Sequence, residues 1–212
     1  MVIPVGERYQ QNLYLFQKID GKLVREALRS TLFVPMTGEA EERRQVQPDP
    51  ANPSIRNGDF EEVGADAESP AGWHYQRQLK LITDGDAPSG KNYVTFTNSE
   101  PGRGCRALQG FGVDGREVER LRLTVNVRGQ EIRPGIFGRD LPAAVVTFYD
   151  ENRATVGEAF MGPWRGTFPW QRQSATLDVP LRAREAILRI GLLGAVGEIS
   201  FDAIQLEADR GN

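Results

Sequence analysis

The chain has 212 residues with 26 basic and 29 acidic side chains, a formal charge of -3 and a pI near 5.4. That balance argues against a nucleic-acid binder, which needs a positive footprint to displace counterions, and no apolar run is long enough to cross a bilayer. Gly 23 and Pro 13 favour many turns and short strands over long helices. Cys105 is the single cysteine, which leaves no intrachain disulfide and no cysteine metal cage.

Met1 to Gly6 has neither a basic region nor a small-residue cleavage site, so it does not read as a signal peptide. Asn12 to Gln17 is rich in Leu, Tyr and Phe and predicts a strand. Asp20-Gly21 is a hairpin turn signal, because both residues tolerate positive φ. Lys22 to Leu28 is then the return strand, and Thr31 to Pro35 a further extended piece. Two strands in water are marginal, so this hairpin needs partners. Residues 38–52 have mixed charge, two prolines and almost no apolar surface, and predict a linker with a short helical turn at Glu39 to Arg44.

From Pro53 onward the pattern is strand and turn. Leu121, Leu123, Val125 and Val127 alternate with polar residues, as a strand with one buried face does. Val146 and Phe148 lead into a turn at Asp150-Glu151-Asn152. Ala175, Leu177 and Val179 stop at Pro180, and Ala186, Leu188, Ile190 and Leu192 stop at Gly194. Ile199 and Phe201 are in one phase while Ile204 and Leu206 are in the other, which predicts a bulge at Asp202-Ala203. The fold class is all-β, a jelly-roll β-sandwich preceded by a short hairpin segment. Trp73, Leu123, Val125, Phe148, Leu188, Ile190 and Phe201 are its expected core.

Asn57-Gly58-Asp59-Phe60-Glu61, Pro70-Ala71-Gly72-Trp73 and Ser89-Gly90-Lys91 resemble the opening of family 4/9-type carbohydrate-binding modules, which are galactose-binding-like jelly rolls. Trp170, Val179-Pro180 and the run Gly197 to Leu206 resemble the family's closing strands. The resemblance spans about residues 52–207. It implies a structural calcium where the first and last strands meet, with carboxylates from Glu61 and Asp202 and backbone carbonyls from Asp59 and Lys91, a set suited to a hard cation. The alternative is that Glu61 and Asp202 are solvated strand-end residues. The resemblance also implies sugar binding on aromatic faces, for which Tyr75, Trp164 and Phe168 are the candidate platforms and Arg77 and Gln171 the hydrogen-bonding partners. Trp170 and Trp73 are assigned to packing. A glycan or a protein surface is the expected partner, with neither nucleic acid nor membrane.

Met1 to Gly6, Gln11 to Phe16, the Asp20-Gly21 turn and Leu32-Phe33-Val34-Pro35-Met36 are similar to the C-terminal end of protein-L-isoaspartate O-methyltransferases, over about residues 1–37. That resemblance implies a cytoplasmic parent protein, whereas sugar-binding modules usually work outside the cell. The chain carries no strand, glycine loop and helix unit for S-adenosylmethionine, and Gly102-x-Gly104 and Gly110-x-Gly112 lie between strands. The expected function is therefore a non-catalytic, carbohydrate-binding-like accessory module, the C-terminal part of a larger methyltransferase-like protein. The alternative is a gene product with isoaspartyl repair activity whose cofactor-binding part is missing here. His74, the only histidine, reads as a core or edge residue, and Cys105 as an inert thiol. The acids at Asp84, Asp86, Asp150 and Glu151 sit in turn sequences, and Arg116 to Arg122 and Arg182 to Arg184 read as solvated charge runs.

Overall fold

The computed structural model describes residues 1–7, 9–31, 49–83 and 86–210. Every regular element among them is a β-strand. They form a three-stranded antiparallel sheet and a jelly-roll sandwich of two five-stranded sheets.

The small sheet has the order β1 (Val2–Glu7), β2 (Gln10–Ile19), β3 (Lys22–Thr31). The β2–β3 hairpin turns at Asp20 and Gly21, with φ of 47° and 77°, the left-handed geometry that the dipeptide predicts. β1 is a strand that periodicity does not announce. It pairs along β2 from Val2 with Leu15 to Glu7 with Gln10. Thr31, the first residue of the expected extended piece, is the last residue of β3. The rest of that piece, most of the predicted linker and its helical turn lie outside the described residues.

One sandwich sheet has the order β10 (Thr155–Met161), β9 (Ala144–Tyr149), β12 (Glu185–Ile190), β7 (Arg106–Gly112), β4 (His74–Arg77). The other runs β11 (Gly166–Asp178), β8 (Arg120–Arg133), β13 (Val196–Ala208), β6 (Tyr93–Asn98), β5 (Leu79–Ile82). The alternating apolar residues of β8, β9, β12 and β13 meet between the sheets in one cluster. All seven expected core residues are at most 1% exposed. The phase slip in β13 is a bulge. Pairing with β8 jumps between Asp202 and Gln205, and Ala203 sits at φ 47°, so Ile204 and Leu206 return to the core side and are buried.

The residues of the opening motif gather around Asn57. Its side chain donates to the carbonyls of Glu62 and Ala71 and accepts from the Glu62 amide. Its own carbonyl accepts from the Trp73 indole at 3.0 Å, and the Trp73 ring packs on Phe60. Gly58 lies so close to the β13 bulge that a Cβ there would fall 2.0 Å from the Ile204 carbonyl oxygen.

Two expectations need correction. Gly110 and Gly112 lie inside β7 and not between strands. The strand expected from Ala175 starts already at Gly166, because its bulges against β8 break the alternation that periodicity detects.

Candidate functional site

β4 is an edge strand, and its backbone is irregular. Its pairing with β7 shifts between His74 and Arg77, and Tyr75 and Gln78 take φ of 50° and 57°. Left-handed geometry at non-glycine residues costs of order 1–3 kcal/mol each and gathers at functional sites. Tyr75 follows the buried His74 and is 52% exposed. Gln76 anchors the strand by donating to the carbonyls of Pro70 and Trp73.

Tyr75 and Arg77 open into a cleft of about 550 Å³. Arg29, Ser30 and Thr31 at the end of β3 line the same cleft, as do Asp66, Glu68 and Ser69 of the turn that precedes β4. Partial burial works to raise the Asp66 carboxyl, but the Ser69 hydroxyl and the amides of Glu68 and Ser69 outweigh it and hold it below the usual carboxylate range. The cleft thus offers an aromatic ring, two guanidiniums, a fixed carboxylate and hydroxyls. Such a mixture can stack on one face of a sugar and read its hydroxyls. Arg29, Ser30 and Thr31 escape sequence reasoning because they arrive from a separate sheet.

The other expected ligand residues do not join this cleft. Trp164 is 5% exposed; its ring packs edge-on against Phe201 and its indole donates to the Gln173 side chain at 2.9 Å. It is a core residue and offers no platform. Trp170, assigned to packing, is instead half-buried on the outer face of its sheet, where Arg128 lies 4.8 Å from its ring and Tyr93 meets it edge-on. Phe168 packs on Gly129 and lines a second, shallower depression with Thr167, Gln130 and Glu198. Gln171 is exposed on β11, on the opposite sheet from Tyr75, and accepts from Gln173.

Of the expected cation residues, Glu61 and Asp202 both bind the main chain of the Ser89 to Asn92 segment. Glu61 accepts through Oε1 from the amides of Lys91 and Asn92 at 2.6 and 2.8 Å. Gly90 leaves room for that carboxylate, since a Cβ there would fall 2.3 Å from it. Asp202 is fully buried and accepts from the amides of Ser89 and Ala203. Burial pushes its carboxyl up to about 6, and the like charges of Asp59 and Glu61 push the same way against those two amides. Among the described residues no three His, Cys, Asp or Glu side chains form a ligand group. The expected set needs only two carboxylates, completed by main-chain oxygens. A buried carboxylate facing two like charges fits a hard cation.

His74 is buried and donates from Nε2 to the Tyr9 carbonyl at 2.8 Å; burial lowers its pKa against the pull of that carbonyl. Burial pushes the Cys105 thiol up to about 11, which keeps it protonated and unreactive. Asp150 shapes its turn by accepting from the amides of Asn152 and Ala154. The arginine runs are solvated as expected, with the Arg182 and Arg116 side chains 73% and 63% exposed, and they also form ion pairs: Arg182 with Asp150, and both Arg116 and Arg184 with Asp114.

No family profile matches the sequence, and no curated protein matches it. Solved structures of similar architecture include the enzymatically active domain of bacteriophage CBA120 tailspike protein 4, at 13% identity and a TM-score of 0.47, covering 72% of this chain. The chain spans only 21% of that domain. A structure described as "CBM4 structure and function" shows 16% identity and a TM-score of 0.46, covering 73% of this chain and 99% of that one. The CBM22-1 xylan-binding domain of Paenibacillus barcinonensis Xyn10C shows 13% identity and a TM-score of 0.43, covering 77% and 97%. At such identities the likeness concerns the layout of strands and not the ligand. Nothing in these comparisons supports the methyltransferase resemblance of the first residues.

Proposed function

We propose that this chain is a carbohydrate-binding accessory module whose glycan site is the cleft between β3 and β4. The observation that carries the reading is the exposed Tyr75, at a left-handed backbone position, lining one cleft with Arg77, Arg29 and the hydroxyl side chains of Ser30, Thr31 and Ser69. An aromatic face covers the C–H side of a pyranose, and the surrounding donors and acceptors fix its orientation. The chain acts by binding and not by catalysis in this reading. Titration calorimetry against β-1,4-linked hexasaccharides of xylose, glucose and galactose tests it. Binding of one of them that falls at least tenfold in Tyr75→Ala supports the cleft; no binding of any, or binding indifferent to Tyr75→Ala, refutes it.

We further propose that Glu61 and Asp202 hold a structural calcium with the main chain of Asp59 and Lys91. The ion would set its positive charge against the Glu61 and Asp202 carboxylates. The converging carboxylates support this, and its test is argued below.

The apolar side chains exposed on both faces of the small sheet, Val2, Val5, Ile19 and Leu23 among them, favour a second reading of residues 1–37. They would belong to a larger methyltransferase-like body, with the linker at 38–52 and the sandwich at 53–207 as the following units. A complete methyltransferase domain encoded in frame upstream would support this, and a stop codon there would remove it.

A further inference from the structure

The glycan cleft has walls from two separate sheets, so something must hold those sheets in register. Among the described residues, Tyr9, in the turn between β1 and β2, joins the small sheet to the sandwich. Its ring lies directly over Gly110 of β7; a Cβ on Gly110 would fall 2.7 Å from Tyr9 Cδ1 and 3.3 Å from Cε1. The Tyr9 hydroxyl donates to Glu185 Oε2 at 2.9 Å, a carboxylate only 7% exposed that is also paired with Arg153 at 2.9 Å. The Tyr9 carbonyl accepts from His74 Nε2 at 2.8 Å. One residue therefore engages three strands of the sandwich: β4 through His74, β7 through Gly110 and β12 through Glu185.

Position completes the argument. Gln11 pairs with Thr31, so the Tyr9 turn and the cleft wall at Ser30 and Thr31 occupy the same end of the small sheet. His74, which binds Tyr9, directly precedes Tyr75. We propose that Tyr9 is a clasp that docks the small sheet on the sandwich and thereby forms the glycan cleft, so that clasp closure and glycan binding are thermodynamically linked. This rests on the cleft being the glycan site. Tyr9 is a positioning residue here and touches no glycan.

The linkage has a definite sign. A ligand that bridges Tyr75 and Arg77 on one wall and Ser30 on the other binds only the docked form. Its apparent affinity falls by the fraction of chains that are docked. Loss of the Tyr9 hydroxyl alone leaves the buried Glu185 with Arg153, so Tyr9→Phe should be milder than Tyr9→Ala. Gly110→Ala attacks the same contact from the sandwich side, by displacing the ring.

The test measures the cleft without relying on a glycan. Nitroxide labels at Ser30→Cys and Glu68→Cys span the cleft, and Cys105 is buried with a raised thiol pKa, so it stays unlabelled. Electron–electron resonance should give a narrow distance distribution in the otherwise wild-type pair and a broad one in both Tyr9→Ala and Gly110→Ala. Unlabelled Tyr9→Ala and Gly110→Ala should each bind the hexasaccharide that wild type binds at least tenfold more weakly. A narrow distribution retained in both variants overturns the clasp. A broad distribution with unchanged affinity overturns the linkage. If wild type binds none of the hexasaccharides, the carbohydrate reading fails and the distance distributions still decide the clasp.

Discussion

Two aspartates show how single carboxylates are put to opposite uses. Asp114 is held at about 2, chiefly by the Arg116 side chain, which bonds it through Nε and Nη2, and further by the Arg116 amide and the charge of Arg184, against the cost of burial. A folded-state value below the unfolded one means the folded state prefers the ion. Its contribution is complete above about pH 4 and is lost as pH falls toward 2. Asp114→Asn should therefore flatten part of the acid limb of the stability curve between pH 4 and 2 and leave its shape at pH 7 to 8 alone; an acid limb identical to wild type in urea titrations would contradict this. Asp202 is the reverse case, a carboxylate that burial raises to about 6, and a cation beside it would relieve the strain. An ion that binds only the folded state adds about 2.7 kcal/mol when free calcium is a hundredfold above its dissociation constant. Melting temperature should rise with calcium in wild type and stay flat in Asp202→Ala. Wild-type curves that coincide in millimolar calcium and in chelator would retire the ion. Asp202 was legible in sequence because the phase slip around it is visible, whereas the partners of Asp114 come from distant turns and leave no local signal.

At the scale of elements, legibility followed periodicity. Strands with one face in the core, such as β8 and β12, write their burial as alternation, and their core residues were readable one by one. β11 was readable only from Ala175 onward, because register shifts at Phe168 and Gln171 scramble the alternation before it. That irregularity hides the outward side of Trp170, and Trp164 lies in the connection before β11, where no alternation exists to mark it as core. Composition marks both as large aromatics, but only the fold shows that Trp164 meets Phe201 at 5.5 Å while Trp170 faces Arg128. The same logic hid the cleft. Tyr75 looks like any strand tyrosine, and its left-handed φ of 50° has no sequence signature of its own. The corrected placement of Trp164 makes a prediction that separates core from site. Trp164→Ala removes a ring buried between sheets and leaves the Gln173 side chain without its donor, so it should cost about 3–5 kcal/mol in denaturant unfolding. Glycan affinity, measured below the transition, should not move. A loss of affinity with stability intact would return Trp164 to the binding surface.

The whole molecule joins parts of unequal strength. The sandwich closes around a continuous core, and β13 runs 13 residues between β8 and β6. The small sheet buries little. Most of β3 is exposed, and Leu23 and Val24 remain 70% and 45% exposed. Free energy of local opening follows such differences, with the lowest values where few apolar contacts back the backbone hydrogen bonds. Among the described residues, the hairpin between β2 and β3 is held by its own pairing, by β1 along β2 and by the anchorage of one end at Tyr9. Opening should start at the far end, at Asp20 and Gly21, and stop at the Tyr9 end. Native-state hydrogen exchange reads this directly. Amides of Leu23 and Val24 should exchange through local fluctuations, insensitive to low denaturant. Those of Tyr14 and Ala27, nearer the anchored end, should require a larger opening, and those of Leu123, Val125 and Phe201 should exchange only through global unfolding. Exchange of β2 and β3 amides at the global rate, with the same denaturant slope as β8, would mean that the small sheet unfolds with the sandwich as one unit. The clasp would then be only one part of a much wider coupling between them.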